Sequence, residues 1–253
     1  MHNFFINQEQ IDYNNKKIKI LGKDVNHIKN VLRGRIGDFI YVNVNKANVK
    51  YICQIESIDK DKIICSIVKE QQEINETGIY INIVQGLPKL DKMELVIQKC
   101  TELGVKEFTP LALKRCVVKI DKKDEAKKLA RWQAIAEVAS KQCGRNQIPV
   151  ISEIQDIKTI GAFLKDYDYV FIAYEQEKET TLKMAINNMD NSNKQLKVAI
   201  IIGPEGGIDE TEIEQLQQYG FNSISLGKRI LRTETVAFVI TSIIMYEVGE
   251  LGG

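Results

Sequence analysis

The chain has 253 residues, of which 44% are hydrophobic and 27% charged, proportions that argue against a disordered or fibrous protein and allow one large domain or two modest ones. Its 35 basic and 34 acidic residues give a net charge of +1, which excludes a uniformly basic histone-like protein but leaves room for a local basic patch. The two histidines, His2 and His27, offer few ligands for a histidine-rich metal site, so we expect no metal.

The cysteines and the hydropathy pattern indicate a cytoplasmic protein. The five cysteines are odd in number and no two form a Cys-x-x-Cys pair, so we expect reduced thiols. No apolar run reaches the roughly 18 residues that a membrane helix requires. Residues 1–10 lack the basic start and apolar core of a signal peptide, and we expect no membrane partner.

The N-terminal part of the chain has the pattern of a small β-barrel. Segments rich in Ile, Val and Tyr predict strands over residues 16–20, 39–44, 49–58 and 62–68. A short helix is predicted over residues 24–31, with Asp24 as its N-cap. We therefore expect a first domain over residues 1–70, followed by a polar linker over residues 71–78.

From residue 79 to residue 253 the pattern changes to alternating strands and helices. Strands are predicted over residues 79–85, 108–113, 169–173, 197–202 and 222–226. Helices are predicted over residues 90–103, 124–142, 208–219 and 233–248. This alternation is typical of an α/β domain around a parallel sheet.

A glycine-rich loop follows the buried strand predicted over residues 197–202. It reads Ile202-Gly203-Pro204-Glu205-Gly206-Gly207, and the spacing of Asp209 and Glu212 predicts a capped helix directly afterwards. Glycines let the backbone turn sharply and approach a ligand, and ligands of open α/β sheets bind beyond the carboxyl ends of the strands. The alternative is a plain tight connection. The loop lacks the lysine-containing ending of a P-loop and the spacing of a dinucleotide-binding loop.

A second glycine-bearing loop follows the next strand. It reads Ser225-Leu226-Gly227-Lys228-Arg229-Ile230-Leu231-Arg232-Thr233-Glu234-Thr235. Thr233 is the predicted N-cap of the closing helix. We expect the two loops to form one pocket, with Leu226 and Leu231 as apolar walls and with Arg229 and Arg232 holding a phosphate or a developing anion. The alternative is that both arginines are merely solvated.

Basic residues are concentrated in the middle of the chain. Residues 86–150 contain 14 Lys and Arg against 8 Asp and Glu, a density that suits a polyanion but also suits an ordinary solvated helix face. Gln142 and Arg145, near a glycine, are candidates for contact with a substrate. Lys29, Arg33 and Arg35 in the first domain are candidates for contact with nucleic-acid phosphates.

Several segments along the whole chain carry a specific resemblance. They are Val31-Leu32-Arg33, Lys99-Cys100-Thr101-Glu102-Leu103-Gly104-Val105, Pro110, Arg115, Gln142-Cys143-Gly144-Arg145, Gly203-Pro204-Glu205-Gly206-Gly207 and the run from Leu226 to Thr235. In these segments the chain resembles the ribosomal RNA small subunit methyltransferase E family, which methylates N3 of a uridine in 16S rRNA. It departs from the family pattern at Cys143, where serine is more usual, and at Val236, where alanine is usual.

The resemblance implies an α/β fold with an N-terminal PUA-like β-barrel that binds RNA. It implies a C-terminal SPOUT α/β domain with a deep trefoil knot around a mainly parallel sheet. It also implies S-adenosyl-L-methionine as methyl donor, 16S rRNA or the small ribosomal subunit as substrate, and a homodimer with the active site near the interface.

The loops and the resemblance together nominate the residues of the site. The candidates for cofactor binding are Ile202, Gly203, Gly207, Leu226, Gly227, Ile230, Leu231, Arg232 and Thr233. Arg232 is the candidate for stabilising a uridine anion, and Glu205 is the candidate proton acceptor, although an anion there would equally serve binding of a sulfonium. The candidates for RNA binding are Lys29, Arg33, Arg35, Arg115, Gln142, Arg145 and Arg229.

Other functions remain open at the level of the sequence. A SPOUT enzyme could instead methylate ribose 2′-oxygens of tRNA or rRNA, and the methylated product would distinguish the two. A non-catalytic RNA-binding protein of ribosome assembly would not need a small-molecule pocket, which the two glycine loops predict. A metabolic nucleotide-binding enzyme would leave the barrel and the basic segment unexplained.

Overall fold

Residues 1–45, 47, 49–71, 75–190 and 195–252 are described by the computed structural model. They form two units, Met1–Glu76 with Ser140–Ile148, and Thr77–Ala139 with Pro149–Gly253. Residues 72–74 of the predicted linker lie outside the described residues. The domain boundaries taken from the sequence stay a prediction.

The first unit contains a six-stranded mixed sheet. Its strands are β1 (Asn3–Ile6), β2 (Ile11–Asp12), β3 (Lys17–Leu21), β4 (Phe39–Val44), β5 (Val49–Ile58) and β6 (Lys62–Gln71). Their order is β1-β4-β5-β6-β3-β2, in which the β1–β4 pair is parallel and the others are antiparallel. In β3, buried Ile18 and Ile20 alternate with exposed lysines, because successive side chains of a strand point to opposite faces. The predicted β-rich first part is therefore confirmed.

The short helical segment of the first unit differs from its prediction. Helix α1 (Lys23–Asn26) continues into a wider π-type turn at His27–Val31, and its N-cap is Gly22 rather than Asp24. Asp24 is buried, and its two carboxylate oxygens lie 2.8 and 3.0 Å from Nζ of Lys141. Asp24 therefore forms an ion pair with Lys141 instead of capping the helix.

The second unit is built on a parallel sheet. Its strands are β7 (Tyr80–Gly86), β8 (Glu107–Ala112), β9 (Val150–Ile151), β10 (Gln155–Asp156), β11 (Tyr169–Ala173), β12 (Lys197–Ile202) and β13 (Asn222–Ile224). The order is β10-β8-β7-β12-β11-β13, with β9 paired to β8, and every pair is parallel. The predicted α/β domain around a mainly parallel sheet is confirmed, while the trefoil knot stays a prediction.

Among the residues that the structure describes, six helices alternate with the strands of this sheet along the chain. They are α2 (Lys92–Glu102), α3 (Lys122–Cys143), α4 (Ile160–Phe163), α5 (Leu182–Asn187), α6 (Glu210–Gln218) and α7 (Thr233–Glu247). Helix α2 begins two residues later than predicted, since Leu90 has a φ of +57° that is incompatible with a right-handed helix. Strand β13 ends at Ile224 rather than at Leu226, which leaves Ser225 and Leu226 in the following loop.

The five cysteines have the reduced state that the sequence predicts. All five cysteines are free thiols, in agreement with the predicted reduced state. Burial raises the pKa of the Cys53, Cys65 and Cys100 thiols to about 12, so these thiols are protonated and unreactive at neutral pH.

Within the described part of the chain, none of the helices combines the length and the apolar character that crossing a membrane requires.

A buried ion pair joins two distant segments of the first unit. The guanidinium of Arg145 binds the carboxylate of Glu76, with Nη2 2.7 Å from Oε2, and the two side chains are only 5% and 4% exposed. Oε1 of Glu76 also accepts the backbone N–H groups of Asn146 and Gln147 at 3.0 and 2.9 Å. Glu76 therefore holds residues 145–147 in place.

Replacing Glu76 by alanine should destabilise the intact chain by about 3–5 kcal/mol, because a buried guanidinium loses its carboxylate and two backbone donors lose their acceptor. Urea unfolding of the intact chain measures this loss. Glu56→Ala is the matched control, since Glu56 pairs with Lys17 on the surface and should cost about 1 kcal/mol or less. Equal losses of unfolding free energy in the two variants would contradict the structural role of the buried pair between Glu76 and Arg145.

Candidate functional site

A cavity of about 580 Å³ opens at the carboxyl ends of three strands of the parallel sheet. Its lining comes from residues 202–208 after β12, residues 173–175 at the end of β11, and residues 224–233 at the end of β13 and in the loop after it, together with Lys92 and Val236. The volume lies in the range of small-molecule sites, roughly 300–1,000 Å³. Every candidate for cofactor binding and both catalytic candidates line it, so the two predicted loops do form one pocket.

Strand β11 also contributes to the site, which the sequence did not predict. Because β11 lies between β12 and β13, Tyr174 and Glu175 at its carboxyl end also line the cavity. The sequence predicted β11 itself but not its position, since the order of parallel strands is not written in local periodicity. The rule that carboxyl ends share one edge of the sheet would have nominated these residues once that order was known.

Glycines allow the first loop to fold tightly. A Cβ on Gly203 would lie 2.9 Å from Cγ1 of Ile208 and 3.0 Å from the carbonyl carbon of Gly207, closer than carbon atoms approach without displacement. Gly207 has a φ of +70°, and a Cβ there would lie 2.7 Å from Oε1 of Glu175. The loop ends at Asp209, which is the N-cap of α6 and accepts the backbone N–H of Thr211.

A buried hydrogen-bond network joins the first loop to the start of α7. The hydroxyl of Thr233 donates to the carbonyl of Gly203 at 2.6 Å, and Nε2 of Gln85 donates to the same hydroxyl at 2.8 Å. Thr233 is the first residue of α7 and Arg232 is its N-cap, so the predicted N-cap role of Thr233 is wrong by one residue. The hydroxyl that was expected to cap the helix instead fixes the backbone of the other loop.

The second loop supplies apolar surface and positive charge. Leu226 and Leu231 are partly buried, whereas Ile230 is 87% exposed at the rim. Gly227 has a φ of +104°, which a residue with a side chain rarely adopts. Lys228, Arg229 and Arg232 are exposed. Within the described residues, these three side chains have neither an ion pair nor a hydrogen bond, so their charge is available to a ligand.

Glu205 is held by groups from the start of α2. Its Oε1 accepts the backbone N–H of Lys89 at 3.0 Å and lies 3.0 Å from Nζ of Lys92, which also lies 3.4 Å from Oε2 of Glu234. Burial acts to raise the pKa of Glu205, but its own backbone N–H, the N–H of Lys89 and the Lys92 ammonium outweigh it and lower the pKa below the usual 4.5. Glu205 is therefore an ionised and weak base at neutral pH.

Comparisons with known proteins assign the family. The family described as an RNA methyltransferase domain matches residues 75–245, and the RNA methyltransferase PUA domain matches residues 20–68. The ribosomal RNA small subunit methyltransferase E of Bacillus subtilis is 37% identical over 92% of this chain and 91% of that protein. The chain belongs to the ribosomal RNA small subunit methyltransferase E family.

Solved structures agree with this family membership. The ribosomal RNA small subunit methyltransferase E of Neisseria gonorrhoeae, bound to S-adenosyl methionine, is 26% identical with a TM-score of 0.84, and the match covers 98% of each chain. A Legionella pneumophila protein described as a methyltransferase, in complex with the cofactor SAM, is 30% identical with a TM-score of 0.83, over 97% of each chain. The PUA-like nature of the N-terminal part and the α/β fold therefore hold for this family member.

The candidates for RNA binding in this family member differ in their accessibility. Lys29, Arg33, Arg35 and Gln142 are exposed on the first unit. Arg145 is bound to buried Glu76, which argues against a direct phosphate contact and favours a structural role. In the second unit, Arg229 lines the cavity.

Arg115, in the second unit, is a candidate for RNA binding that also supports the pocket. Its Nη1 donates to the carbonyl of Gly206 at 3.3 Å, and its Nη2 lies 3.3 Å from Oδ2 of Asp209. These contacts brace the first glycine loop. The sequence could not indicate this role, because Arg115 and Gly206 are 91 residues apart.

The carboxyl group of Glu205 should titrate with a midpoint below 4.5, as measured by the ¹³C shift of its carboxyl carbon. Stability that depends on this ionised group is present above pH 4.5 and is lost as the pH falls through the lowered pKa. Lys92→Met should move the midpoint upward because the ammonium is removed. Lys99→Met on the same helix is the control, since Lys99 pairs with Glu102. A midpoint at or above 4.5 in the unaltered chain would contradict the assignment.

Proposed function

We propose that this protein transfers a methyl group from S-adenosyl-L-methionine to N3 of a uridine in the 16S rRNA of the small ribosomal subunit. The observation that carries the proposal is the cavity formed by both glycine loops, in a chain whose relatives are named ribosomal RNA small subunit methyltransferase E. Two proteins of the same fold were crystallised with the methyl donor. The proposed substrate places the reaction in the cytoplasm.

The cavity fits the proposed cofactor. At Gly203 and Gly227 no side chain separates the backbone from the cavity, so the adenosine and methionine parts can approach it closely, and Ile202, Leu226 and Leu231 offer apolar surface for the adenine ring. Carboxylates of Glu175 and Glu205 line the same space, where negative charge suits a sulfonium. The bound cofactor supplies an electrophilic methyl group, and the protein supplies orientation and electrostatics.

Arg232 is the proposed catalytic residue. N3 of uridine must lose its proton before it attacks, and a fixed cation near the carbonyl oxygens stabilises the resulting anion. Arg232 meets this requirement as the N-cap of α7, because the adjacent Thr233 is anchored to Gly203 while the guanidinium remains exposed at the cavity. Since N3 lies on the base-pairing edge, the target uridine must be unpaired or flipped out of its stack.

Glu205 is proposed to organise the site rather than to accept the proton. Its lowered pKa makes it a poor base, and its oxygen is already engaged by Lys89 and Lys92. In this position it fixes the first glycine loop against the start of α2. Its negative charge also favours a cationic sulfonium at the cavity.

We further propose that RNA contacts are shared by both units and that the protein works as a homodimer. In the first unit, Lys29, Arg33 and Arg35 are exposed and suit phosphate contacts. In the second, helix α7 is apolar, but Ile243 and Tyr246 are 38% and 64% exposed, an arrangement typical of a surface covered by a second subunit. The proposed domain organisation is a PUA-like domain over residues 1–70, a linker over residues 71–78 and a knotted SPOUT domain over residues 79–253.

The reaction is tested with radiolabelled S-adenosylmethionine and undermethylated small ribosomal subunits, with free 16S rRNA and tRNA in parallel. Nucleoside analysis should find the label in N3-methyluridine from 16S rRNA. Label in 2′-O-methylated nucleosides or in tRNA would refute the substrate. Cofactor binding without any label in the presence of competent subunits would favour the non-catalytic alternative.

Replacing Arg232 by alanine should lower kcat by about 10²–10³, because one preorganised group that stabilises the anion is removed. Binding of S-adenosylmethionine, measured by calorimetry, should change little, and Arg232→Lys should recover part of the rate. Lys228→Ala is the matched control, since Lys228 is an exposed cation of the same loop. A comparable fall in kcat for the control would remove the specific role of Arg232.

Replacing Gly203 by alanine should weaken binding of S-adenosylmethionine at least about tenfold. The added methyl group would displace Ile208 and the backbone of Gly207, and a well-packed loop can absorb such a group only by shifting. Gly220→Ala is the control, because Gly220 lies outside this cavity, a Cβ there meets no atom within 4 Å, and its φ of +85° strains only the end of α6. Unchanged affinity in Gly203→Ala would show that this loop does not hold the cofactor.

A further inference from the structure

Five lysines of the second unit form an exposed basic surface that the pocket does not use. This lysine surface consists of Lys119, Lys122, Lys123, Lys127 and Lys128, and all five residues are exposed. Four of them belong to the N-terminal half of α3, and Lys119 precedes that helix by three residues. The surface lies outside the cavity lining.

Cations on either side of the lysine surface are paired, whereas the lysines themselves are not. Arg131 lies 2.8 Å from Oε1 of Glu94, and Lys114 lies 3.6 Å from Oδ1 of Asp209, which also binds Arg115. The part of the chain that the structure describes contains no ion-pair or hydrogen-bond partner for the five lysine ammonium groups. The positive charge of the five lysines is therefore not balanced by ion pairs, in contrast to that of the neighbouring cations.

Nearby carboxylates offset only part of this charge. Oε1 of Glu125 accepts the backbone N–H of Ile154 at 3.4 Å, so this oxygen is engaged away from the lysines. Asp121 and Asp124 remain exposed. With Glu125 included, three carboxylates stand beside five ammonium groups, so positive charge remains in excess.

The position of the lysines is unfavourable for the helix itself. Lys122 and Lys123 are the first two residues of α3, and the N-terminus of a helix carries a partial positive charge that disfavours cations. Lys123 and Lys127 are four residues apart, a spacing at which like charges on a helix repel. Asp124 and Glu125 in the same first turn favour the helix, whereas the lysines beside them do not and instead suit an anionic ligand.

The lysine surface is connected to the rim of the cavity. Strand β8 ends at Ala112, at the carboxyl edge of the sheet, and the chain passes through Arg115 before it reaches α3. Arg115 donates to the carbonyl of Gly206 in the cavity lining. A short segment of chain therefore leads from Arg115, at the pocket rim, to the lysine surface.

We infer that the lysine surface binds the phosphate backbone of the substrate RNA and holds the RNA while the target base occupies the pocket. The inference rests on the proposed function, because it takes RNA as the substrate. Ammonium groups that neutralise phosphates release counterions, which gives affinity without sequence specificity and makes it sensitive to salt. The lysines thus contribute to affinity, whereas the pocket selects the base and performs the reaction.

The test compares Lys123→Gln/Lys127→Gln with the unaltered protein on unmethylated 16S rRNA. The dissociation constant at physiological salt should rise about tenfold, and the slope of log affinity against log salt should fall by about 1.5, because two phosphate contacts are lost. In methyl transfer, KM for RNA should rise similarly while kcat and the affinity for S-adenosylmethionine stay within about twofold. Glutamine is a good helix former, so α3 should remain intact, as circular dichroism will show.

The matched control is Lys165→Gln/Lys197→Gln, which removes the same charge from exposed positions of the same unit. Lys165 precedes β11 and Lys197 begins β12, so both lie toward the amino edge of the sheet, opposite the pocket. This control should retain the RNA affinity and the salt slope of the unaltered protein. Equal weakening in both double variants would overturn the inference, because only net charge would then matter.

Failure of the inference is distinguishable from failure of the proposed function. RNA binding by Lys123→Gln/Lys127→Gln that equals that of an active unaltered enzyme would refute the lysine surface and leave the methyl transfer standing. An unaltered protein that binds RNA but transfers no methyl group would refute the proposed function. The binding measurement would still test the lysine surface in that case.

Discussion

The site depends on one hydrogen bond, from the hydroxyl of Thr233 to the carbonyl of Gly203. It joins the loop after β12 to the first residue of α7, although β11 separates the two parent strands in the sheet. Gln85, from β7 on the other side of β12, donates to the same hydroxyl and is fully buried. Three elements therefore converge on one hydroxyl, which fixes the distance across the cavity and the direction from which Arg232 approaches it. Because the side chains of Thr233 and Gln85 are buried, water has little access to the shared hydroxyl.

This constraint explains why the glycines of the site are not interchangeable. At Gly203 the space is closed by Ile208 and the backbone of Gly207, so the requirement is steric. At Gly227 nothing lies within 4 Å of an added Cβ, and the requirement comes from the φ of +104°. The first loop thus keeps its shape by close packing, whereas the second keeps it by backbone conformation and leaves its basic side chains exposed. One side of the cavity is therefore formed by a closely packed loop, and the other by a more open loop with basic side chains.

The fold and the pocket were largely predictable because they follow from local patterns. Buried runs such as 197–202 and the glycine loops after them carry their own signals, and the carboxyl-edge rule joins them. The contribution of Tyr174 and Glu175 required the strand order, which local periodicity does not contain. Short elements such as β9, β10 and α4 were missed, since two-residue strands and a single helical turn show no period. The roles of Asp24 and Thr233 were misassigned because each hydrogen-bonds to a residue far away in sequence.

The sequence alone does not distinguish structural arginines from those available to a ligand. Arg145, Arg115 and Arg232 all lie in segments that resemble the family, yet the structure gives them different roles. Arg145 is buried against Glu76, Arg115 braces the first loop through Gly206 and Asp209, and Arg232 projects at the cavity, with no side-chain partner among the described residues. A carboxylate partner 69 or 94 residues away decides which arginine is structural and which remains available to an anion. Electrostatic function in this chain is therefore defined by the cations that the fold leaves uncompensated, a property of its tertiary contacts.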